Sequence, residues 1–459
     1  MNLILFSAIW GVVMMFSGLF ISNKSMAKNI ALLGAVVLLI SNLLDLNGLT
    51  ILEGDFKGML QYERFNLLFL TVAVVSLIFY FLLNGKDIES VGSHSFEYFA
   101  LIFFVMCGVG LVALFNNLLI LFIGIEIISI PLYILTGADK RNLKSNEAAL
   151  KYFLMGSFST GIFLLGIAFL YGASGSFQIE NMNLPANDQL RVLLPIGIVF
   201  MLIALSFKVS AAPFHFWTPD VYDGAPTVFT SFMATIVKAA VFVGFFNLFL
   251  NGFGYNYEDW KLSAAIIIVL TLFIGNITAV FQQSVKRMLA YSSIAQAGFM
   301  MFSVFAVNDM AKQGLLLYAA AYCLATIGIF AVLVKMKDYT FDGFNGFAKK
   351  EPLLAFILTV YLLSLAGIPL TAGFFAKYFV LAAAVKTGTY LWLVIFAVLM
   401  AAISVYYYFR IIQAMYFKDG DGQQVETTPV YKAVLVIVAA LIILLGVLPG
   451  SLLDWLLIF

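Results

Sequence analysis

The sequence is almost devoid of histidine and cysteine, with two of each in 459 residues. His94 and His215 are too few for a histidine-rich metal or haem site. Cys107 and Cys323 lie far apart within apolar runs, so they form neither a disulfide framework nor a metal-ligand spacing. Glycine-rich nucleotide loops, iron–sulfur ligation patterns and nucleophile–base pairs are also missing from the sequence. Any electron carrier or nucleotide that matters must therefore bind elsewhere.

Charge is scarce as well, because only 11% of the residues are charged while 63% are apolar. An ordinary globular protein is about a quarter charged and about half apolar. The 25 Lys and Arg residues nearly balance the 24 Asp and Glu residues, which leaves a net charge of +1 and no excess that would attract nucleic acid. The composition excludes a water-soluble fold and predicts a chain embedded in a lipid bilayer.

Fourteen apolar runs approach or exceed the roughly 20 residues that one helix needs to cross a bilayer. They lie at about 2–22, 29–48, 64–83, 95–115, 117–137, 147–172, 190–217, 226–250, 262–282, 288–307, 310–335, 351–386, 389–418 and 432–456. The run 351–386 is too long for one straight crossing and is interrupted by Gly367-Ile368-Pro369, so we expect one broken helix there. The runs predict an all-α polytopic membrane protein with about 14 transmembrane helices.

The distribution of basic residues predicts the orientation of these helices. No basic residue precedes the first run, which is unlike a secretory signal peptide, so we expect a retained anchor whose amino end lies outside. The odd-numbered loops, then cytoplasmic, hold fifteen basic residues: Lys24, Lys28, Lys86, Lys140, Arg141, Lys144, Lys286, Arg287, Lys335, Lys337, Lys349, Lys350, Arg410, Lys418 and Lys432. The opposite loops hold six: Lys57, Arg64, Arg191, Lys261, Lys312 and Lys386. Because basic residues concentrate in cytoplasmic loops, both termini are predicted to lie outside.

The order of the runs indicates an internal duplication, since runs four to eight and runs nine to thirteen cover nearly equal lengths. Each block has one long helix interrupted by proline, at Pro213 and at Pro369. Lys208 precedes the first break and Lys377 follows the second, as expected for five-helix units that are inverted relative to each other. Broken helices at matching positions of inverted repeats are typical of a transport site. The predicted organisation is an N-terminal three-helix segment 1–94, repeats 95–250 and 262–418, and a C-terminal loop and last helix 419–459.

Glu126 lies inside an apolar run, and so do the four lysines that belong to neither set of loops, namely Lys151, Lys208, Lys238 and Lys377. A charged side chain at bilayer depth costs roughly 2.5 to 3.5 kcal/mol on insertion scales. Such groups need polar partners or a hydrated cavity, and they are functional candidates by default. These five residues are therefore the candidate relay of a transported proton.

The residue types suggest how such a relay would switch. Burial disfavours the charged form of a lysine, and a nearby carboxylate restores it, so moving Glu126 relative to Lys208 would change whether the lysine holds its proton. The alternative for this pair is a purely structural ion pair. Lys151 could serve in the relay or could form a structural i,i+4 pair with Glu147.

Three prolines between Pro213 and Pro226 predict a broken helix end followed by a structured cytoplasmic loop. His215 lies in this stretch and could bridge Lys208 and Lys238, since histidine exchanges protons near neutral pH. Asp220 and Asp223 in the same stretch are predicted to be turn and cap residues rather than proton donors.

With these residues laid out, the sequence resembles the antiporter-like membrane subunits of respiratory complex I over essentially its whole length. The resemblance rests on Glu126, Lys238 and three segments: Lys208 to Pro226 with its Pro219-Asp220-Val221-Tyr222 and Gly224-Ala225-Pro226 pieces, Lys286 to Gly298, and Gly367 to Lys377. It implies a fold of fourteen helices with two inverted five-helix repeats and two discontinuous helices.

The resemblance also implies roles for individual residues. Glu126 and Lys208 would form the input-side pair, Lys238 with His215 would form the central relay, and Lys377 would face the exit half-channel. Lys151 would modulate proton access or coupling. The neighbouring Tyr378, together with Ser292 and Gln296, would line the hydrated path.

The function that this resemblance implies is one proton channel in a redox-driven pump of the bacterial inner membrane. This chain would bind no cofactor, whereas FMN, iron–sulfur clusters and quinone would be bound by other subunits. Its expected partners are neighbouring membrane subunits and the bilayer, and no nucleic acid. The leading alternative is a subunit of a multi-subunit cation/proton antiporter, which shares the same ancestry but works without a redox partner. A second alternative is a non-conducting scaffold whose charges only hold helices together.

Overall fold

The computed structural model describes residues 2–21, 23, 25–49, 58–182, 190, 192–388 and 390–457. Lys24, Lys57 and Arg191, which contribute to the predicted loop charges, lie outside these residues. In the described part of the chain, helices account for nearly all regular structure, and β-pairing is limited to isolated bridges. The predicted all-helical membrane fold is confirmed.

The helices follow one another with short connections. Their bounds are α1 Asn2–Phe20, α2 Ser25–Leu46, α3 Arg64–Val91, α4 Ser95–Leu114, α5 Leu118–Thr136, α6 Leu143–Ser174, α7 Leu193–Lys208, α8 Trp217–Gly224, α9 Thr227–Gly252, α10 Tyr257–Val280, α11 Val285–Ala306, α12 Asp309–Val334, α13 Pro352–Ala366, α14 Ala372–Val385, α15 Leu391–Phe417, α16 Pro429–Val447 and α17 Gly450–Leu457. Among the described residues, twelve helices are long and apolar enough to cross a membrane, and α7, α13 and α14 are shorter apolar helices. Each predicted apolar run coincides with one helix or with a broken pair, while the count of fourteen crossings and the inversion of the repeats stay predictions.

Side-chain caps define where several helices begin. Asn117, Asn142 and Asn308 accept hydrogen bonds from backbone N–H groups in the first turns of α5, α6 and α12. Ser284 does the same for α11, so that helix begins at Val285, before the apolar run starts. Short polar side chains are favoured at these positions because the first N–H groups of a helix have no partner within the helix.

Burial separates the helices into an inner and an outer set. In α9, α11 and α12, 94% of the most apolar window is buried within the chain, against 22% in α1 and 33% in α6. Both broken helices reach the inner set, because α8 and α14 each pack against α11. Helix α11 therefore lies between the two breaks and is placed to connect them.

The two breaks differ in form. After Lys208 the backbone is non-helical until α8 begins at Trp217. The stretch after Pro213 was predicted to be a loop, but residues 217–224 form a helix, because Pro219 falls in its first turn, where an N–H group has no intrahelical partner. The second break extends from Gly367 to Thr371 and contains Pro369. Gly367 ends α13 in the left-handed conformation, with φ of 83°.

Candidate functional site

The first predicted pair, Glu126 and Lys208, is joined through a threonine that the sequence analysis missed. Thr160 Oγ1 on α6 donates a hydrogen bond of 2.7 Å to Glu126 Oε1 on α5. Lys208 Nζ, at the end of α7, lies 3.5 Å from the same Thr160 oxygen and 3.1 Å from Ser129 Oγ. The three helices thus bring a carboxylate, two hydroxyls and an amine together. The predicted coupling runs through the Thr160 hydroxyl, with no Glu126–Lys208 ion pair among the described residues.

Lys238 lies in the interior of the chain and is only 2% exposed. Its Nζ donates to the carbonyl oxygen and to the Oγ of Ser293 on α11, each at 3.1 Å. The Tyr222 ring of α8 lies 5.7 Å away, which allows a cation–π contact. A π-helical turn, Met233–Val237, directly precedes Lys238 in α9. Such turns are frequent at functional sites.

Lys377 is held by the second break itself. Its Nζ donates to the carbonyl oxygens of Leu365 and Ala366, both at 2.9 Å. These carbonyls belong to the last turn of α13 and have no partner further along the helix, because α13 ends there. The Phe299 ring lies 4.6 Å from the same nitrogen. The break therefore supplies the hydrogen-bond acceptors that allow the Lys377 side chain to be buried, with only 7% of the residue exposed.

A chain of polar groups links Lys238 to Lys377 along α11. Ser292, next to Ser293, lies 2.5 Å from the hydroxyl of Tyr408. Gln296 Nε2 donates to that hydroxyl at 3.0 Å and to the Leu365 carbonyl at 2.9 Å. Leu365 O thus accepts from both Gln296 and Lys377. The structure places the predicted residues Ser292 and Gln296 in this chain.

Two tyrosines of this polar chain were missed by the sequence analysis. The Tyr318 hydroxyl donates to Gln296 Oε1, and Tyr408 connects Ser292 with Gln296. A void of about 10 Å³ touches Gln296, Tyr318 and Lys377. This is about the smallest space that holds one water molecule. With 21 tyrosines in the chain, no sequence signal distinguishes these two.

Around the first break, four buried polar groups lack hydrogen-bond partners among the described residues. His215 Nδ1 and the side-chain hydroxyls of Ser206, Ser210 and Thr218 are buried without a hydrogen-bond partner in the described chain. Leaving a buried polar atom unpaired costs about 1 to 3 kcal/mol, so four of them around one break indicate a hydrated region. His215 is 6% exposed and stacks on Phe216, but it bonds to neither lysine. His215 therefore lies between Lys208 and Lys238 in the sequence, as predicted, but it contacts neither of them directly.

Lys151 lies at the mouth of the site, with 42% of its side chain exposed. Its Nζ contacts Glu147 at 2.7 Å and Asp220 at 3.0 Å. Arg287 donates to the other oxygen of Asp220 at 2.9 Å. The prediction that Asp220 is a turn or cap residue is wrong, because its carboxylate joins α6, α8 and α11 by ion pairs. A polar cavity of about 150 Å³ is lined by these four residues and their neighbours.

Lys286 is a buried amine that was assigned to a cytoplasmic loop. Helix α11 already includes it, and the residue is 4% exposed. Its Nζ donates to the carbonyl oxygens of Asp223 and Ala225 at 2.8 and 2.7 Å, where α8 ends. Hydropathy could not identify Lys286 as a buried residue, because it lies at the edge of its apolar run. The carbonyl oxygens that accept its hydrogen bonds come from another helix. Lys286 and Lys377 thus bind carbonyls at the ends of the two broken helices in the same way.

Tyr378 lies apart from these groups. Its ring is 53% exposed and contacts Phe375 and Phe379 on the same helix face. Lys377, one residue earlier, points into the interior. The structure therefore brings every predicted relay lysine into polar surroundings, but it does not bring Tyr378 into the polar chain.

Comparison with known proteins gives a consistent result. Residues 115–404 match the family model described as NADH:quinone oxidoreductase/Mrp antiporter, transmembrane. The chain is 40% identical to NADH-quinone oxidoreductase subunit N of Cytophaga hutchinsonii, covering 99% of each protein. A chain of respiratory complex I from Thermus thermophilus with bound aureothin superposes with a TM-score of 0.84 at 32% identity, covering 98% of both chains. A chain of the Mrp complex from Dietzia sp. superposes with a TM-score of 0.85, covering 99% of this chain and 96% of that one, and at 17% identity it shows the fold alone.

Proposed function

This chain belongs to the family of antiporter-like membrane subunits of NADH:quinone oxidoreductase and Mrp antiporters, and we propose that its buried lysines form one proton channel. Its nearly full-length likeness to subunit N makes it a proton-translocating membrane subunit of an NADH-quinone oxidoreductase, complex I. The Pro219 to Pro226 segment and the lysine at position 377 also favour the N type over the M type, which tends to have a glutamate at the second break.

The main support for a proton channel is the chemical type of the hydrogen-bond acceptors around each buried lysine amine. The amines of Lys208, Lys238 and Lys377 bond to hydroxyl and carbonyl oxygens, not to carboxylates. A carboxylate in direct contact would hold an amine in its charged form much more strongly than neutral oxygens do, so neutral partners make the loss of the proton less costly. A scaffold that only holds helices together would be better served by direct ion pairs. The neutral partners therefore support the relay over the scaffold.

The proposed path begins at the ion-pair cluster around Lys151 and Asp220. Protons pass from there to Lys208, whose charge depends on Glu126 through the Thr160 hydroxyl. The hydrated break around His215 connects Lys208 with Lys238. Each lysine alternates between charged and neutral forms as its neighbour changes charge.

From Lys238 the path continues along α11 to Lys377. The hydroxyls of Ser292 and Tyr408 can exchange protons, whereas the Gln296 amide orients the chain without releasing a proton near neutral pH. A water molecule in the void beside Gln296 and Lys377 would complete the last step. Lys377 then delivers the proton to the exit half-channel.

In our proposal, the energy for proton translocation comes from other subunits. Quinone reduction in other subunits, which bind FMN, iron–sulfur clusters and quinone, changes a charge at the interface with this one. This chain itself carries no redox centre. It lies in the bacterial inner membrane with both termini outside, and protons enter from the cytoplasm. The inverted repeats occupy 95–250 and 262–418, flanked by the segments 1–94 and 419–459.

A cation/proton antiporter is the second candidate, favoured by the fold shared with the Mrp complex chain. Purification of the tagged chain from native membranes in mild detergent separates the two. Companions with flavin and iron–sulfur absorbance, together with NADH–quinone activity, are expected for the oxidoreductase. Companions limited to small membrane subunits without redox centres, with sodium-dependent transport that needs no quinone, would establish the antiporter instead.

The relay itself is tested on the assembled complex. Lys208→Met and Lys377→Met should lower the number of protons translocated per quinone reduced while the complex still assembles. Unchanged proton stoichiometry in both variants would refute the relay. Loss of assembly in every lysine variant would favour the scaffold.

A further inference from the structure

A cavity of about 560 Å³ lies at one end of α2, α3 and α16, away from the polar chain of the proposed channel. Three lysines from different helices line it: Lys28 of α2, Lys86 of α3 and Lys335, which follows α12. The lining contains one carboxylate, that of Glu426. Lys335 is paired with Asp87, whereas neither Lys28 nor Lys86 forms a salt bridge among the described residues, so two unpaired ammonium groups against one carboxylate favour a negatively charged ligand.

The lysines keep hydrogen-bond donors available for such a ligand. Lys28 Nζ donates to the Leu82 carbonyl at 3.0 Å, and Lys335 Nζ contacts Asp87 at 2.5 Å. Since an ammonium group has three N–H donors, both amines retain free ones. Lys86 is exposed and has no hydrogen-bond partner in the described part of the chain.

Helix α3 holds Lys28 at the cavity. A Cβ atom at Gly85 would lie 2.8 Å from Lys28 Cδ, so the glycine makes room for the lysine side chain. Glu89 Oε1 accepts a hydrogen bond of 3.1 Å from the backbone N–H of Lys28. Neither Glu89 nor Asp87 is part of the cavity lining. The amine is therefore positioned at the cavity by contacts made elsewhere.

Two further features of the lining suit an anion. Thr427 lines the cavity, and its hydroxyl is buried without a hydrogen-bond partner in the described residues. Helix α16 begins at the same place, where Thr428 caps the N–H of Tyr431. The partial positive charge at a helix N-terminus adds to that of the lysines.

An apolar groove continues from the cavity along α3. Val72, Val75, Phe79 and Leu82 are half-buried, and their spacing of three or four residues places them on one helix face that ends at Lys86. Helices α2 and α16 both pack against α3, and residues of all three helices line the cavity. Exposed apolar residues recur at every seventh position of the other two helices: Met26, Leu33 and Ile40 on α2, and Val430, Ile437 and Leu444 on α16.

The length of this face matches one leaflet of a bilayer. A helix rises about 1.5 Å per residue, so the stretch from Val72 to Lys86 measures about 21 Å. Half of a bilayer, including its headgroup region, is about 20 to 22 Å thick. The site thus combines a cationic end with an apolar groove of acyl-chain length.

We propose that this cavity and groove bind one anionic phospholipid. The phosphate lies among Lys28, Lys86 and Lys335, and the acyl chains follow the groove along α3. All three lysines belong to the loops expected on the cytoplasmic side, where anionic lipids attract basic residues. A lipid fits better than a neighbouring protein helix because the positive charge is confined to one end and the remaining surface is apolar.

Photo-crosslinking of the assembled complex tests this proposal. The complex is placed in phosphatidylcholine nanodiscs doped with a photoreactive phosphatidylglycerol, and labelled peptides are mapped by mass spectrometry. Labels are expected within 26–40, 72–86 and 430–444. Unlabelled phosphatidylglycerol should compete with the probe, and additional phosphatidylcholine should not.

Variants identify the headgroup contacts. Lys28→Ala with Lys86→Ala should lower labelling at least about tenfold, since each lysine near an anionic surface contributes about 1 kcal/mol. Lys86→Arg should keep the labelling, and Lys418→Ala, which removes an exposed lysine outside the cavity lining, serves as the matched control. NADH–quinone activity verifies that each complex is assembled.

Three results would overturn the proposal. The first is labelling that phosphatidylcholine reduces as well as phosphatidylglycerol does. The second is labelling that the double variant leaves unchanged. The third is an unlabelled groove whose peptides crosslink to another subunit, because the face would then be a protein interface.

Discussion

Replacing Thr160 by valine should uncouple quinone reduction from proton transfer. Valine keeps the shape of the side chain but removes the hydroxyl that donates to Glu126 at 2.7 Å and lies 3.5 Å from Lys208 Nζ. The carboxylate then loses a hydrogen bond of the kind worth about 1.5 to 3 kcal/mol. Because about 1.4 kcal/mol corresponds to a tenfold change in rate, a transfer step that depends on this contact should slow by roughly ten- to a hundredfold.

The assay measures proton uptake and quinone reduction in the same proteoliposomes. We expect the number of protons per quinone to fall in Thr160→Val, with the complex fully assembled. Thr160→Ser retains the hydroxyl and should behave like the parent protein. Thr359→Val is the matched control, because Thr359 is also half-buried but bonds only to a carbonyl of its own helix, that of Ala355 at 2.8 Å.

Two outcomes would refute this reasoning. If Thr160→Val kept the proton stoichiometry and rate of the parent, the hydroxyl would carry no coupling between Glu126 and Lys208. If Thr160→Ser failed as severely as Thr160→Val, the effect would come from packing and not from the hydrogen bond.

Three further predictions concern the breaks and the mouth of the site. Lys377→Arg should impair proton transfer almost as much as Lys377→Met, because a guanidinium does not deprotonate, and wild-type pumping in the arginine variant would contradict this. Gly373→Ala should prevent assembly, seen as loss of the complex on native gels, because the added Cβ would lie 1.8 Å from the Ser364 carbonyl oxygen. Gly161→Ala, where nothing lies within 4 Å, should assemble normally. Asp220→Asn should lower the unfolding temperature of the complex slightly at low salt and less at high salt, because it weakens two partly exposed ion pairs. An unfolding temperature that salt does not affect would argue against that cause.

The membrane class of this chain and most of its buried charges could be predicted from the sequence alone. Hydropathy is a property of successive residues, so run lengths locate the helices and also locate Lys208, Lys238 and Lys377 within them. Proline and glycine indicate the two breaks because they limit which backbone conformations the chain can adopt.

The partners of those charges were decided by the tertiary structure. Thr160, Tyr318 and Tyr408 read as ordinary residues of apolar runs, and their function appears only because distant helices bring them against Glu126, Gln296 and Ser292. Lys286 reads as a loop residue, yet the end of α8 supplies the carbonyls that bury it. A hydroxyl or an amine has the same local signal wherever it points, and only the packing of helices remote in sequence determines which group it meets.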